Sequence, residues 1–365
     1  MKGMTTVQDS SKISPFLVLY LIVSTQVGVG VLGFQKYIVE GMGYDAWMAI
    51  ILAGLIVHLY IYMIYSIMRK ADMDIIELNH VLFGKWIGNL INLVFILYLL
   101  ILSLTVLRTY IEVVQVWMFR NLNTWIIAFF ILLLVLFVIK GGFRSVVGIC
   151  FLSVLLPSFL ILTLYFPLQF AHFGNLLPIG DFTMKELVIS TRNMVLSYLG
   201  FELLFFFYPF IKNGEKSQKW AHLGNFVTVS IYLVIGIVSF AYFAEPYIKE
   251  AEWATLTLWK VVELPFLARF EYIGVTTWLF IILPILCLWL WAASRGVKHM
   301  IPKLKQKRIL YIMVAVILVS SGLFQTREEI SFLNTLSSRV GFYFLGFYIP
   351  LLYIIMLVKK EVRKS

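Results

Sequence analysis

Residues 28–33 read Gly28-Val29-Gly30-Val31-Leu32-Gly33, and residues 197–202 read Ser197-Tyr198-Leu199-Gly200-Phe201-Glu202. Each stretch lies inside an apolar run, the first in residues 14–39 and the second in 187–210. Three glycines in six residues weaken a helix by about 1 kcal/mol each relative to alanine. They also let the backbone unwind within a membrane, which is tolerated only where it lines a cavity. The first stretch matches the letters of the dinucleotide fingerprint G-x-G-x-x-G, but that motif needs a preceding strand and a soluble βαβ unit. Close helix packing through small residues is the competing account of the glycines alone. Glu202 in the second stretch favours a cavity. A mid-membrane carboxylate costs at least about 2.5–3.5 kcal/mol, so it must be paired, protonated or facing water.

Working outward, a span of about 30 Å of hydrocarbon takes about 20 apolar residues at 1.5 Å each. Ten segments meet that demand: 14–39, 44–68, 88–117, 122–139, 145–168, 187–210, 221–244, 270–294, 309–325 and 337–358. The two glycine stretches fall in the first and sixth, five spans apart. Two inverted five-helix repeats, about 14–168 and 187–358 within one transmembrane domain, produce that spacing. Such folds place substrate and coupling ion near the midplane, at half-helix ends. Freed amides at a half-helix N-terminus suit an anionic group such as an amino-acid carboxylate. Gly28, Val29, Gly30, Tyr198, Gly200 and Glu202 are therefore the candidate ligand-binding residues.

Composition agrees with a membrane protein. Of 365 residues 61% are apolar and 13% charged, with mean hydropathy +0.92; a soluble domain needs about twice that charged fraction. Ten tryptophans, 19 tyrosines and 31 phenylalanines suit lipid-facing and interfacial positions. The net charge of +11 sits in short loops, so it reads as topology and not as a nucleic-acid surface. With the N-terminus inside, inner segments hold 20 of the 30 lysines and arginines. They include Lys2, Lys12, Arg69, Lys70, the run from Lys298 to Arg308, and Lys359, Lys360, Arg363 and Lys364. This bias predicts both termini in the cytoplasm. The polar start, Met1 to Lys12, precedes a run too long for a signal-peptide core and reads as a retained anchor. Cys150 and Cys287 fall in apolar stretches, which argues against a disulfide framework.

The Gly28-x-Gly30-x-Leu32 segment and Leu199-Gly200-Phe201-Glu202 resemble the amino acid–polyamine–organocation transporter superfamily. More narrowly, the chain resembles the spore germination permease family, the B subunits of germinant receptors. Gly84-Lys85-Trp86-Ile87-Gly88, Arg108-x-x-x-Glu112 and Ala268-Arg269-Phe270-Glu271 support that likeness. The resemblance implies a LeuT-like fold with interrupted helices one and six, an inner spore-membrane location, and partnership with A-type and C-type receptor subunits. It also implies a role in detecting a small germinant (an amino acid, sugar or nucleoside) and helping trigger germination. Gln35 before Lys36 departs from the proline–basic pair that family members often carry after the helix-one glycines.

Other intramembrane charges are candidates for coupling or gating. Arg108 and Glu112 stand one helical turn apart and can pair, as a structural lock or a gate. Arg269 and Glu271 stand at the outer start of helix eight, where they could hold down the apolar outer loop 246–268 or form a solvated cluster. That loop reads as a surface helix capping the outer mouth, and 69–88 as an interfacial helix on the inner side. Gln325, Arg327, Glu328 and Glu329 read as a polar outer turn. His58 has no second ligand in sight and reads as a satisfied core histidine.

No catalytic residue, cofactor or metal is expected. An integral-membrane enzyme needs a nucleophile, base or metal cluster at one face, and the five histidines are scattered. The leading expectation is a transporter-like receptor subunit embedded in the lipid bilayer. The alternative is a stand-alone proton-coupled amino-acid permease, with Glu202 as the proton carrier.

Overall fold

A computed structural model describes residues 8–359 except 72 and 266. Lys2, Lys360, Arg363 and Lys364, part of the inner basic set, lie outside the described residues, as does the start of the N-terminal polar stretch.

Among the described residues the secondary structure is almost entirely helical. In order, the helices are α1 (Leu17–Gln26), α2 (Phe34–Met42), α3 (Trp47–Ala71), α4 (Ile75–Trp117), α5 (Thr124–Lys140), α6 (Phe143–Leu155), α7 (Phe159–Leu162) and α8 (Tyr165–Leu168). Then come α9 (Met184–Ser197), α10 (Leu204–Phe207), α11 (Gln218–Tyr242), α12 (Glu245–Glu250), α13 (Ala254–Trp259), α14 (Phe270–Met300), α15 (Gln306–Leu323), α16 (Arg327–Tyr343) and α17 (Ile349–Val358). Among the described residues seven helical segments are long and apolar enough to cross a bilayer, and α9 with α10, bent by 50°, makes an eighth. The first of the seven, Phe34–Ala71, joins α2 to α3; with α2 assigned to α1 as one interrupted span, α3 as another and the 17-residue α5 added, the spans number ten. Both expected interruptions are present, in the first and sixth spans.

Caps explain where the key helices begin. Thr183 and Glu186 form a capping box that starts α9, and Thr326 and Glu329 form another that starts α16. Each satisfies amides that a helix N-terminus otherwise leaves without partners. The second box corrects the sequence expectation: Arg327, Glu328 and Glu329 are the first turn of the last span, which begins about ten residues before 337. Asp74 caps α4 by accepting the Glu77 N–H at 3.0 Å. The inner connection forms the helix foreseen there, from Ile75 to a sharp bend at Gly84, whose φ of 76° favours glycine.

The core lies where α14 runs along α4, with α1, α3, α6 and α11 around them. Among its fully buried rings are Phe95, Tyr98, Phe201, Phe205 and Phe206. Outer faces of α5, α15 and α17 expose Phe137, Ile312 and Leu357, as lipid-facing surfaces should. The outer loop holds two short helices, α12 and α13. Leu256, Leu258 and Trp259 are buried there, and Trp259 packs 5.6 Å from Trp278. It caps one end of the helix bundle, as a surface helix over a mouth would. The outer half of the first span is a regular nine-residue helix, so Gln35 in place of proline leaves its geometry undisturbed.

Candidate solute-binding site

The first break begins where α1 ends at Gln26. Val27 and Gly28 are extended, a 3-10 turn covers Val29–Leu32, and α2 resumes at Phe34. The second begins after Ser197 and turns at Gly200, whose φ of 127° is open to glycine and strained for other residues. The breaks touch: a side chain at Gly200 would run into the Thr25 carbonyl. Tyr232 of α11 places its hydroxyl 3.2 Å from the Gln26 carbonyl and 3.2 Å from that of Ser197, holding the ends of both half-helices together.

A cavity of about 390 Å³ opens beside this junction. Its walls are the first break, Thr105 and Thr109 of α4, Arg192, Asn193 and Ser197 of α9, Ile285 and Trp289 of α14, and one face of α16. Glu252 and Trp253 of the outer loop close its outer end. A volume of a few hundred Å³ suits a small solute. Two wall residues keep a buried polar atom without a partner among the described residues, Gln26 at Oε1 and Trp289 at Nε1. Such orphans are uncommon, because each forfeits about 1–3 kcal/mol.

Gly28, Val29 and Gly30 lie on the cavity wall. Tyr198, Gly200 and Glu202 stand behind it. Tyr198 is buried, with its ring 5.0 Å from that of Tyr232. Glu202 is 0% exposed. One of its oxygens accepts the Tyr98 hydroxyl at 2.9 Å and the other the Gly200 N–H at 2.7 Å. The carboxylate thus caps the turn that restarts the sixth span.

Arg108 and Glu112 do not pair with each other. Arg108 is fully buried and donates from Nε to the Phe324 carbonyl just past α15, where a cation complements the helix's negative end. Glu112 pairs instead with Arg327 at 2.8 Å. Arg327 also reaches Glu252, and Glu252 binds Lys36 at 2.5 Å. This chain of four charges joins α4, α16, the outer loop and α2 across the cavity mouth. Gln35, fully buried, donates to Ser239 and to Thr255, and Thr255 donates to the Val31 carbonyl. Gly33 lets the Glu252 carbonyl approach so closely that a side chain there would overlap it. The outer loop is therefore held down by Glu252 and Thr255. Arg269 and Glu271 pair with each other at 2.8 Å, and Arg269 lies over Tyr272. Arg269 also borders a smaller outer recess of about 310 Å³ with Trp117, Trp253 and Lys260.

His58 is not alone: its Nδ1 lies 2.9 Å from that of His222 on α11. Among the described residues no group of three or more metal-ligating side chains occurs.

Reading the sequence by itself missed Arg192, Arg339 and the polar face of α16. Ser331, Asn334, Thr335 and Ser338 recur at helical spacing, a stripe that was visible but cut off by a span placed at 337.

Discontinuous first and sixth spans around a polar cavity define a membrane protein of the LeuT-like fold class. The fold matches that of a Na+-coupled sialic acid symporter solved substrate-bound and outward-open, with a TM-score of 0.70 over 98% of this chain and 82% of that one, at 14% identity. It also matches a nucleobase-cation-symport-1 family transporter solved closed with bromovinylhydantoin, with a TM-score of 0.64 over 92% and 79%, at 12% identity. The chain belongs to the spore germination protein family, whose model matches residues 12–330. It is 40% identical to spore germination protein GerQB of Bacillus cereus over 97% of this chain and 98% of that protein. Spore germination protein YndE of Bacillus subtilis (strain 168) is 24% identical over 97% and 98%.

Proposed function

We propose that this chain is the transporter-like membrane subunit of a spore germinant receptor, a B-type subunit acting with A-type and C-type partners. A small nutrient germinant (an amino acid, sugar or nucleoside) binds in the cavity at the helix breaks. Its binding shifts a conformational equilibrium that the partner subunits read. The observation that carries this reading is the cavity of about 390 Å³ at the junction of both breaks, in a chain of the germination family. The protein sits in the inner membrane with both termini cytoplasmic, supported by the basic bias of the inner segments. Residues 14–168 and 187–358 form its two inverted repeats. The test is a binding screen of purified protein against the three solute classes, paired with germination of spores lacking the gene. No binding to any class, together with unchanged germination, rejects the proposal.

A second reading is a stand-alone proton-coupled permease. The buried carboxylate of Glu202 between Tyr98 and Gly200 favours it. Uptake by proteoliposomes without partner subunits, abolished by collapsing the proton gradient and made independent of pH by Glu202→Gln, supports this reading over the first.

A further inference from the structure

The charges on the cavity wall do not balance. Arg192, Arg327, Arg339 and one acid, Glu252, face it. Arg327 is matched: with Lys36 it shares Glu112 and Glu252, two positive charges against two negative. Arg192 and Arg339 have no carboxylate within ion-pair distance among the described residues. Neither makes a hydrogen bond there.

The two are neighbours. Arg192 lies 4.6 Å over the ring of Phe342 on α16, and Arg339 is one turn earlier on that helix, where residues three apart share a face. Both side chains therefore line the cavity near the seam between α9 and α16. At 1.5 Å per residue, Arg339 lies about 18 Å along α16 from Arg327 at the mouth. Two cations open to one cavity, with no acid within ion-pair distance, make its wall attractive to an anion. The positive end of α2 at Gly33 and Phe34 reaches the same cavity and adds to its attraction for negative charge.

The geometry points to a ligand that is net anionic, bearing carboxylate or phosphate groups that Arg192 and Arg339 clamp: an acidic amino acid or a phosphorylated sugar or nucleoside. Guanidinium forks suit both groups because each offers paired oxygens. The two free positive charges match a ligand carrying up to two negative ones. The inference rests on the solute-binding reading above and narrows it from three neutral or zwitterionic classes to their charged members.

Matched pairs test it: glutamate against glutamine, glucose 6-phosphate against glucose, and inosine 5′-phosphate against inosine. Binding is measured on the full-length protein in nanodiscs of zwitterionic lipid. The charged member of at least one pair binds about tenfold tighter or more. That preference weakens with added salt and is erased by Arg192→Gln with Arg339→Gln, while the lysine variants keep part of it. Equal binding within every pair overturns the inference and leaves the solute site standing. If no member of any pair binds, the solute-binding reading falls with it. Anionic-lipid nanodiscs supply the other source of the same chemistry. If they stabilise the wild type through these arginines and the soluble anions do not, the anion is a lipid headgroup and the solute inference is overturned.

Discussion

Tyr98 of α4 donates a 2.9 Å hydrogen bond to Glu202, whose other oxygen accepts the Gly200 N–H at 2.7 Å. The Tyr98 ring also stacks 5.5 Å from Phe344, in the π-helical turn Phe344–Tyr348 that joins α16 to α17. One side chain thus links the third span, the break in the sixth and an irregular turn in the tenth. Wide turns of this kind are common where helices serve a function. Tyr98→Phe keeps the stack and removes the hydroxyl, leaving a buried acceptor without its donor, a loss of about 1–3 kcal/mol. The expected result is a lower apparent melting temperature in detergent and weaker ligand binding. An unchanged protein in both assays removes Tyr98 from the device.

The glycines of the two breaks differ in what they tolerate. Gly200→Ala combines an unfavourable backbone, about 1–2 kcal/mol, with overlap against the Thr25 carbonyl, and Gly33→Ala overlaps the Glu252 carbonyl. At Gly30 the nearest neighbour of an added carbon is the Tyr232 hydroxyl at 3.6 Å, an ordinary contact. Gly33→Ala and Gly200→Ala should therefore lower the yield of monodisperse protein, while Gly30→Ala should fold normally. Size-exclusion profiles of the three variants check the order, and a Gly30→Ala protein as poor as the others contradicts it.

Glu252 holds both Lys36 and Arg327 over the cavity mouth. These pairs are partly exposed, so each is worth only about 0.2–1 kcal/mol after solvent screening. Losing both in Glu252→Gln shifts the closed–open balance about 2- to 30-fold. The readout is the rate at which an external thiol reagent labels Val29→Cys on the cavity wall. The native Cys150 and Cys287 are buried, which keeps the background low. A labelling rate equal to that of the parent means these charges do not hold the mouth.

At the opposite end of the bundle from the mouth, Asp74 caps α4 and meets His299 at 2.7 Å. Burial alone would raise its pKa, but the hydrogen bond and charge of His299 and the Glu77 N–H outweigh burial and hold it below the usual 3.8. A carboxyl lowered on folding stabilises the protein fully above its unfolded pKa. The contribution is lost as pH falls through the lower, folded value. Asp74→Ala should thus cost about 1 kcal/mol or more at pH 7, and this difference should persist at pH 5 and shrink below about pH 4. Melting curves of both proteins across that range check it, and a deficit that fades between pH 7 and 5 points elsewhere.

How far the site could be read depended on the range of each signal. Gly28, Gly30 and Gly33 were visible because glycine in an apolar helix breaks a local rule. The α16 stripe was equally local, but the span placed at 337 cut it off, and Arg192 and Arg339 were not singled out because neither stands in a local pattern. Arg108 and Glu112 showed the opposite failure. Helical spacing put them on one face, yet each found a partner more than 200 residues away in sequence, Phe324 and Arg327.

The sequence by itself determined that the chain spans the membrane about ten times and where its first and sixth helices break. Hydrophobic length and glycine content act over a single turn or a single span, and need no knowledge of neighbours. Only the tertiary structure decided that Glu202 caps a turn behind the cavity, and that Glu252 closes the mouth. It also decided that Arg192 and Arg339 line the same cavity. Those roles depend on which helices pack side by side, and packing among equally apolar helices is selected by side-chain shape and the pairing of buried polar groups. Neither property has a period along the chain.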